Sequence, residues 1–345
     1  MEEGISLTKE TMNERRAIPF PYKLIAGTLF FLAMFVVAMV SGAAEISVKD
    51  VWLALTSAAT GDTISLIREI RLPREIAAIF VGAALAVSGA VMQGMTRNPL
   101  ADPGLLGLTA GSNAALALTI ALYPDANAFS LMVACMIGAA VGALLVMGIG
   151  SVKKGGFSPL RIVLAGVAVH SFLYAVAQGI GIAFKISKNV SMWTAGGLIG
   201  TTWDQLYVIV PFIVAGVLIA LFLSKQLTIL SVSEEVAVGL GQKTTRVKAV
   251  LFVVIILLTG ASVALIGNLA FIGLMIPHIV RAMVGPDYRF VIPMSAIMGA
   301  SFMLIADTLG RIVNAPYETP IAAIVTVIGL PFFLFIVRKG GRAFS

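Results

Sequence analysis

Residues 75–95 read EIAAIFVGAALAVSGAVMQGM. Glu75 opens the stretch, and no other charge follows within it. A helix needs about 20 mostly apolar residues to cross the hydrocarbon of a bilayer, and this segment supplies them. Gly82, Ala86, Ala90 and Gly94 recur every four residues, so a helix here carries one smooth stripe of small side chains. In a water-soluble helix an interior glycine costs roughly 1 kcal/mol against alanine. In a membrane bundle small residues instead let neighbouring helices approach closely. The stretch predicts a membrane helix in tight contact with others.

The rest of the chain agrees. Of its 345 residues 59% are hydrophobic and only 12% charged, against roughly 25% charged in soluble domains. That composition cannot cover a water-facing surface, and it is equally unlike a disordered chain. There are 34 glycines, including Gly138 and Gly142 in a second close-packing pattern, and 15 methionines that read as packing filler. One cysteine, Cys135, excludes a disulfide framework. With only His170 and His278 beside it, a thiolate or histidine metal centre is not expected. The class is an all-α polytopic membrane protein.

Ten apolar segments are long enough to read as spans: 24–41, 75–95, 105–122, 128–150, 161–184, 206–223, 249–267, 270–284, 290–309 and 319–337. The third follows Pro99 and Pro103, and the short eighth contains Pro277. Helix breakers at membrane depth survive where protein or water satisfies the freed backbone, so both spans are expected inside the bundle. The first span is too long in its apolar core, and too far behind a charged tail, to read as a cleaved signal peptide. Placing the N-terminus inside puts 17 of the 24 Lys and Arg residues inside and 7 outside, as the positive-inside bias requires. The expected organisation is a cytoplasmic tail over 1–22, one permease domain over 23–338 with a cytoplasmic loop at 224–248, and a cytoplasmic tail over 339–345. The net charge of +7 is then a topology signal and gives no reason to invoke nucleic acid.

Charge inside the spans is sparse. Asp307 is the one deep acid, and Arg311 follows it at the spacing of one helix face, which reads as a structural ion pair. A carrier coupled to protons or sodium needs more intramembrane carboxylates, so an ion-coupled secondary transporter is disfavoured. The run Gly239-Leu-Gly-Gln-Lys243-Thr244 lacks the second glycine of a phosphate loop and no strand precedes it. No nucleotide site is expected, so the chain is not expected to be an enzyme. Within 224–248, Ser231 and Glu234 fit a capping box and Gly239 and Gly241 fit a helix end. The short helix they bound needs a surface, either its own bundle or a partner. Arg68, Arg71 and Arg74 crowd one outside loop. Pro73 suits the first position of a helix, which would leave Arg74 in a first turn that disfavours a cation. Such a cost suggests an acidic partner, with lipid headgroups as the alternative. His278 beside Pro277 reads as structural.

Taken together, several segments resemble one family, the ten-helix permease subunits of ABC importers for iron–siderophore chelates, haem and cobalamin. They are Arg71-Leu-Pro-Arg74, Ser88-Gly-Ala-Val-Met-Gln93, Asn98-Pro-Leu-Ala-Asp-Pro103, Trp193-Thr-Ala-Gly-Gly197, Glu234-Glu235 with Gly239-Leu240-Gly241, Gly273-Leu-Met-Ile-Pro-His-Ile-Val-Arg281, Ala306-Asp307 with Arg311, and Pro320 with Gly329-Leu-Pro-Phe-Phe333. They run in family order from about 66 to 338.

The resemblance implies a bacterial inner-membrane permease that moves an iron–siderophore chelate by alternating access, with haem and cobalamin as rival cargoes. It implies a second permease chain, identical or paralogous, two cytoplasmic ABC ATPase subunits and an external substrate-binding protein. It assigns coupling to the ATPase to Glu234, Glu235, Gly239, Leu240 and Gly241. It assigns docking of the binding protein's glutamates to Arg71, Arg74 and Arg311. No catalytic, cofactor or metal residue is implied.

Overall fold

The structure, a computed structural model, describes residues 18–340 except 43–45, 105, 152–158 and 316. Most of the N-terminal tail and of the C-terminal tail therefore lie outside the described residues. The described chain is helical throughout. In order the helices are α1 (Phe20–Val40), α2 (Val48–Thr56), α3 (Asp62–Leu66), α4 (Leu72–Thr96), α5 (Leu108–Leu122), α6 (Ala128–Ser151), α7 (Pro159–Ala183) and α8 (Ser187–Thr194). They continue as α9 (Trp203–Phe222), α10 (Ser224–Val232), α11 (Glu234–Gly239), α12 (Thr244–Ile266), α13 (Ile272–Val284), α14 (Tyr288–Ile312) and α15 (Ile321–Gly340). Seven helical runs are long and apolar enough to cross a membrane, and α5, α13 and Ile321–Ile336 of α15 are shorter apolar helices. All ten expected segments are helical.

The helix read first from the sequence is the axis of the bundle. In α4, 18 of 25 residues are buried, and α9, α10, α12, α13 and α14 all pack on it. The small-residue stripe explains how so many helices share one axis. A Cβ built on Gly82 would stand 2.3 Å from the carbonyl oxygen of Gly299 in α14, and one on Gly89 would stand 2.0 Å from that of Gly273 in α13. Across α5 and α6, Gly111 and Gly138 stand in the same relation. These glycines are where backbone meets backbone. The two Pro-marked spans do turn inward: α13 buries Ile272 through Pro277 and Val280, and α5 buries nine residues beginning with Leu108.

One expectation about α4 needs correction. Arg74 does not sit at a free helix start. A π-helical turn, Ile67–Arg71, joins α3 directly to α4, so the helical run begins at Asp62 with that acid in its first turn. The dipole cost assigned to Arg74 is therefore absent, because its turn is preceded by about ten helical residues and the unpaired N–H groups lie at the far end of that run.

Contacts fix the two ends of the bundle. Arg74, at the start of α4, reaches Asp307 near the end of α14, whereas Gly94, near the end of α4, lies against Tyr288 at the start of α14. The two helices are antiparallel. The Tyr288 end also holds α10, whose Thr228 hydroxyl bonds Asp287 and accepts from the backbone N–H of Tyr288. The arginine cluster and α10–α11 thus occupy opposite ends, about 35 Å apart along a 25-residue helix.

Candidate functional site

At the first end, three arginines are bound up with three carboxylates inside the chain. Arg74 grips Asp307 through Nε and Nη2, at 2.9–3.1 Å, and Glu318 through Nη1 and Nη2, at 2.8 and 2.9 Å. Arg311 lies 3.0 Å from Asp307 across one helical turn, as the spacing predicts, and donates also to Glu75 and to the carbonyls of Ser41 and Ala38. Arg71 donates to the carbonyl of Met39 at 2.6 Å. All three arginines are less than 10% exposed. The sequence reading placed them in the open, facing a partner. The structure brings them together but turns them inward, because Glu75, Asp307 and Glu318 supply the acid they need. A buried guanidinium demands such pairing.

Glu318 is the outermost member of this network, with its side chain about one third exposed. The Arg74 hydrogen bonds hold its carboxyl below the ordinary range. Sequence reasoning missed Glu318 and the pairing of Glu75 with Arg311. Neither lies at helix spacing from its partner arginine.

At the opposite end, α11 presents Glu234 and Glu235 with little burial around them. Its cap differs from the expected one. Ser231 belongs to α10 and donates its hydroxyl to the Thr228 carbonyl. Ser233, in extended backbone, is the true N-cap and accepts from the N–H of Val236 at 3.0 Å. The capping box fails because two helices, α10 and α11, stand where one was read. Glu234 instead pairs with Lys248 of α12 at 2.7 Å, which lowers its pKa. Glu235 is lowered by hydrogen bonds from its own backbone N–H and from Ser233. Gly241 has φ +76°, the left-handed conformation that ends a helix and favours glycine. Leu240 and Gly239 beside it are exposed.

Between the ends, the chain breaks helix at Gly267–Phe271, where Gly267 and Phe271 both have positive φ. A Cβ on Gly267 would meet the Trp193 carbonyl oxygen at 1.8 Å, so only glycine fits. Cavities flank this break. One of about 320 Å³ is lined by Arg74, Glu318, residues 195–201, Leu265 and Ile266. The other, of about 400 Å³, is lined by Asp102, Thr109, His170, Ser171, Asn268 and Phe271 among others. Both are mostly apolar with a few polar groups, the character of sites for small molecules. Sequence reading singled out His278, which packs edge-on against Phe332, and gave no role of their own to His170 and Asp102. Among the described residues no three His, Cys, Asp or Glu side chains come together as a metal site.

Comparison with known proteins places this geometry. The FecCD transport family matches residues 29–339. The iron(3+)-hydroxamate import system permease protein FhuB of Bacillus subtilis is 42% identical over 320 residues, covering 92% of this chain and 83% of that protein. The iron-uptake system permease protein FeuB of the same organism is 37% identical over 321 residues, covering 92% and 96%. A solved structure of a metal-chelate-type ABC transporter in an inward-facing conformation superposes with a TM-score of 0.78 at 27% identity, covering 92% of this chain and 99% of that one. With a match across nearly its whole length, a polytopic helical bundle and relatives that are permease components of iron import systems, this chain belongs to the FecCD transport family of ABC-importer permeases.

Proposed function

We propose that this chain is the permease subunit of an ATP-driven importer and carries an iron(III)–siderophore chelate across the bacterial inner membrane by alternating access. The observation that carries the reading is the 42% identity, over nearly all of the chain, to a hydroxamate-chelate permease. Two further facts support it. The buried carboxylates Glu75 and Asp307 are engaged by arginines in an ion-pair network at one end, which leaves them little freedom for ion coupling. Exposed acids cluster on a short helix at the other end, suited to a partner. In this reading both termini are cytoplasmic, a second permease chain completes the path, and two ABC ATPase subunits press on α11 through Glu234, Glu235, Gly239, Leu240 and Gly241.

The role of Arg71, Arg74 and Arg311 in receiving an external binding protein takes a changed form. Their charges are already matched, so an incoming carboxylate competes with Glu318 for Arg74 instead of meeting an open basic surface. Selectivity among chelates resides mainly in the binding protein.

The test is reconstitution in proteoliposomes with an ABC ATPase subunit and a substrate-binding protein from the same organism. Uptake of radioactive iron as a hydroxamate chelate, dependent on ATP and indifferent to an imposed proton or sodium gradient, is the expected result. Uptake that follows the ion gradient without ATP would establish a secondary carrier instead. Preference for haem or cobalamin over the chelate would keep the importer and change its cargo.

A further inference from the structure

Beside α11 lies a small crevice of about 200 Å³. Gln93 and Arg97 from the end of α4, Asn98, Ser231 of α10, Arg281 of α13 and Tyr288 of α14 line it. Two of these residues are cationic and none is acidic. Arg281 is the unusual one. Both its terminal nitrogens, Nη1 and Nη2, are shielded from water, and neither meets a carboxylate or a carbonyl among the described residues; the neighbour they have is the neutral Tyr288 phenol. The guanidinium lies beside Tyr288, a ring that is itself 4% exposed. Elsewhere the chain matches its buried guanidiniums carefully: Arg74 and Arg311 have carboxylates, Arg68 and Arg71 have carbonyls. A shielded guanidinium without a carboxylate is costly, since a buried charge loses its hydration and here gains no opposite charge in return.

Arg97 adds to the same field. It has left-handed backbone, φ 53°, a conformation strained for a residue with a Cβ, and its side chain is exposed. Glu234 and Glu235 are close enough to feel its charge. Glu234 is already engaged by Lys248, and neither acid lines the crevice. The crevice therefore opens beside an acidic helix yet is itself basic.

We infer that this crevice is a socket for an acidic side chain of the ATPase subunit, which Arg97 and Arg281 grip as α11 seats on its partner. The inference rests on the proposed function and adds a residue-level contact to it. A planar guanidinium whose two Nη groups meet no acid matches a carboxylate in the fork geometry that arginine favours. The volume suits one Asp or Glu side chain and excludes a chelate. The neighbouring charges make the surface bipolar: an acidic helix and a basic socket side by side. Bipolar surfaces fix register and exclude wrong partners, because a shift of the complex sets like charges against each other.

The contact has a signature that a purely structural arginine lacks. In the isolated permease the Arg281 charge is unmatched, so removing it relieves a penalty. In the complex the same charge is paired, so removing it costs affinity. Arg281→Gln is expected to hold or raise the thermal unfolding midpoint of the isolated permease in lipid nanodiscs. The same change is expected to weaken its association with the ATPase about 10-fold or more, the loss of one charged hydrogen-bonded contact. Arg281→Lys, which keeps charge without the fork, should fall between. Arg97→Gln should weaken association and flatten its salt dependence.

If Arg281→Gln lowers the midpoint and leaves affinity unchanged, the residue is structural and the socket is refuted. If millimolar inorganic phosphate raises the wild-type midpoint and Arg281→Gln abolishes that rise, the crevice holds a free oxyanion and the partner assignment is wrong. If deleting residues 1–17, which carry four glutamates, reproduces the Arg281→Gln phenotype, the chain's own tail is the occupant and the inference again fails. Wild-type permease that binds no ATPase would overturn the proposed function itself. Wild-type binding with an unaffected Arg281→Gln complex would overturn only the socket.

Discussion

Arg74 and Asp307 lie 233 positions apart in the chain and meet fork to fork, with two guanidinium nitrogens 2.9–3.1 Å from the carboxylate. The pair clamps the start of α4 to the end of α14, and Arg311 joins it from the next turn.

Asp307→Asn leaves two buried arginines short of an acid. Removing one partner of a buried ion pair typically costs about 3–5 kcal/mol. The variant is expected to unfold at a clearly lower temperature in nanodiscs, and Asp307→Ala lower still. A midpoint within a degree of wild type would mean that the network contributes nothing to stability.

Glu318 gives that network a pH dependence. Its pKa is lowered in the folded protein by the Arg74 hydrogen bonds. A lowered carboxylate pKa means stability that is fully present above the unfolded value, about 4.3, and is lost as pH falls through the folded value. Stability should therefore decline on acidification below roughly pH 4, and Glu318→Gln should decline less steeply over the same window. Unfolding curves between neutral and acid pH, compared for the two proteins, decide the point.

Glycine contacts predict a sharp contrast. Gly82→Ala and Gly89→Ala place a methyl group against backbone that cannot move aside, and each is expected to cost about 1–3 kcal/mol by overpacking. Gly179→Ala in α7 meets nothing within 4 Å and should be neutral, or stabilising by up to about 1 kcal/mol through helix propensity. Equal effects at the three positions would show that backbone contact does not govern this bundle.

The coupling role proposed for α11 is open to charge reversal. Replacing Glu234 and Glu235 together with Arg is expected to abolish cargo uptake while membrane insertion and yield stay normal. Ser233→Ala, which removes the cap, should weaken the helix by about 1 kcal/mol and lower uptake in part. Undiminished uptake with both acids reversed would remove α11 from the coupling pathway.

The parts of the fold written in local spacing were legible in the sequence. Ten apolar runs gave ten helices, the four-residue stripe from Gly82 to Gly94 gave the axis, and Asp307 with Arg311 gave an ion pair one turn apart. The failures share a cause. Arg74 finds Asp307 and Glu318 through the tertiary fold, which no spacing encodes, so three buried arginines looked like an open basic surface. Residues 62–71 carry four charges beside Pro73 and read as loop, yet they are helical because α2 and Trp203 hold them: Arg68 caps the carbonyls of Ala54 and Ala59, and its own carbonyl accepts from the Trp203 indole. Ser231 and Ser233 are equally plausible caps in sequence. The choice between them lies in where α10 stops, which is at Val232, between the two serines.

Where Gly82 faces Gly299, two main chains touch with no cushion of side chains between them. Side chains are what let packed helices slide, by exchanging rotamers as one ridge passes another. Without them, α4 and α14 form a keel that must travel as one piece, pinned at one end by Arg74 and Asp307 and at the other by Tyr288 against Gly94. Any rearrangement during transport has its slip plane elsewhere, and the helical break at Gly267–Phe271, with space on both sides, is where the molecule has room to give.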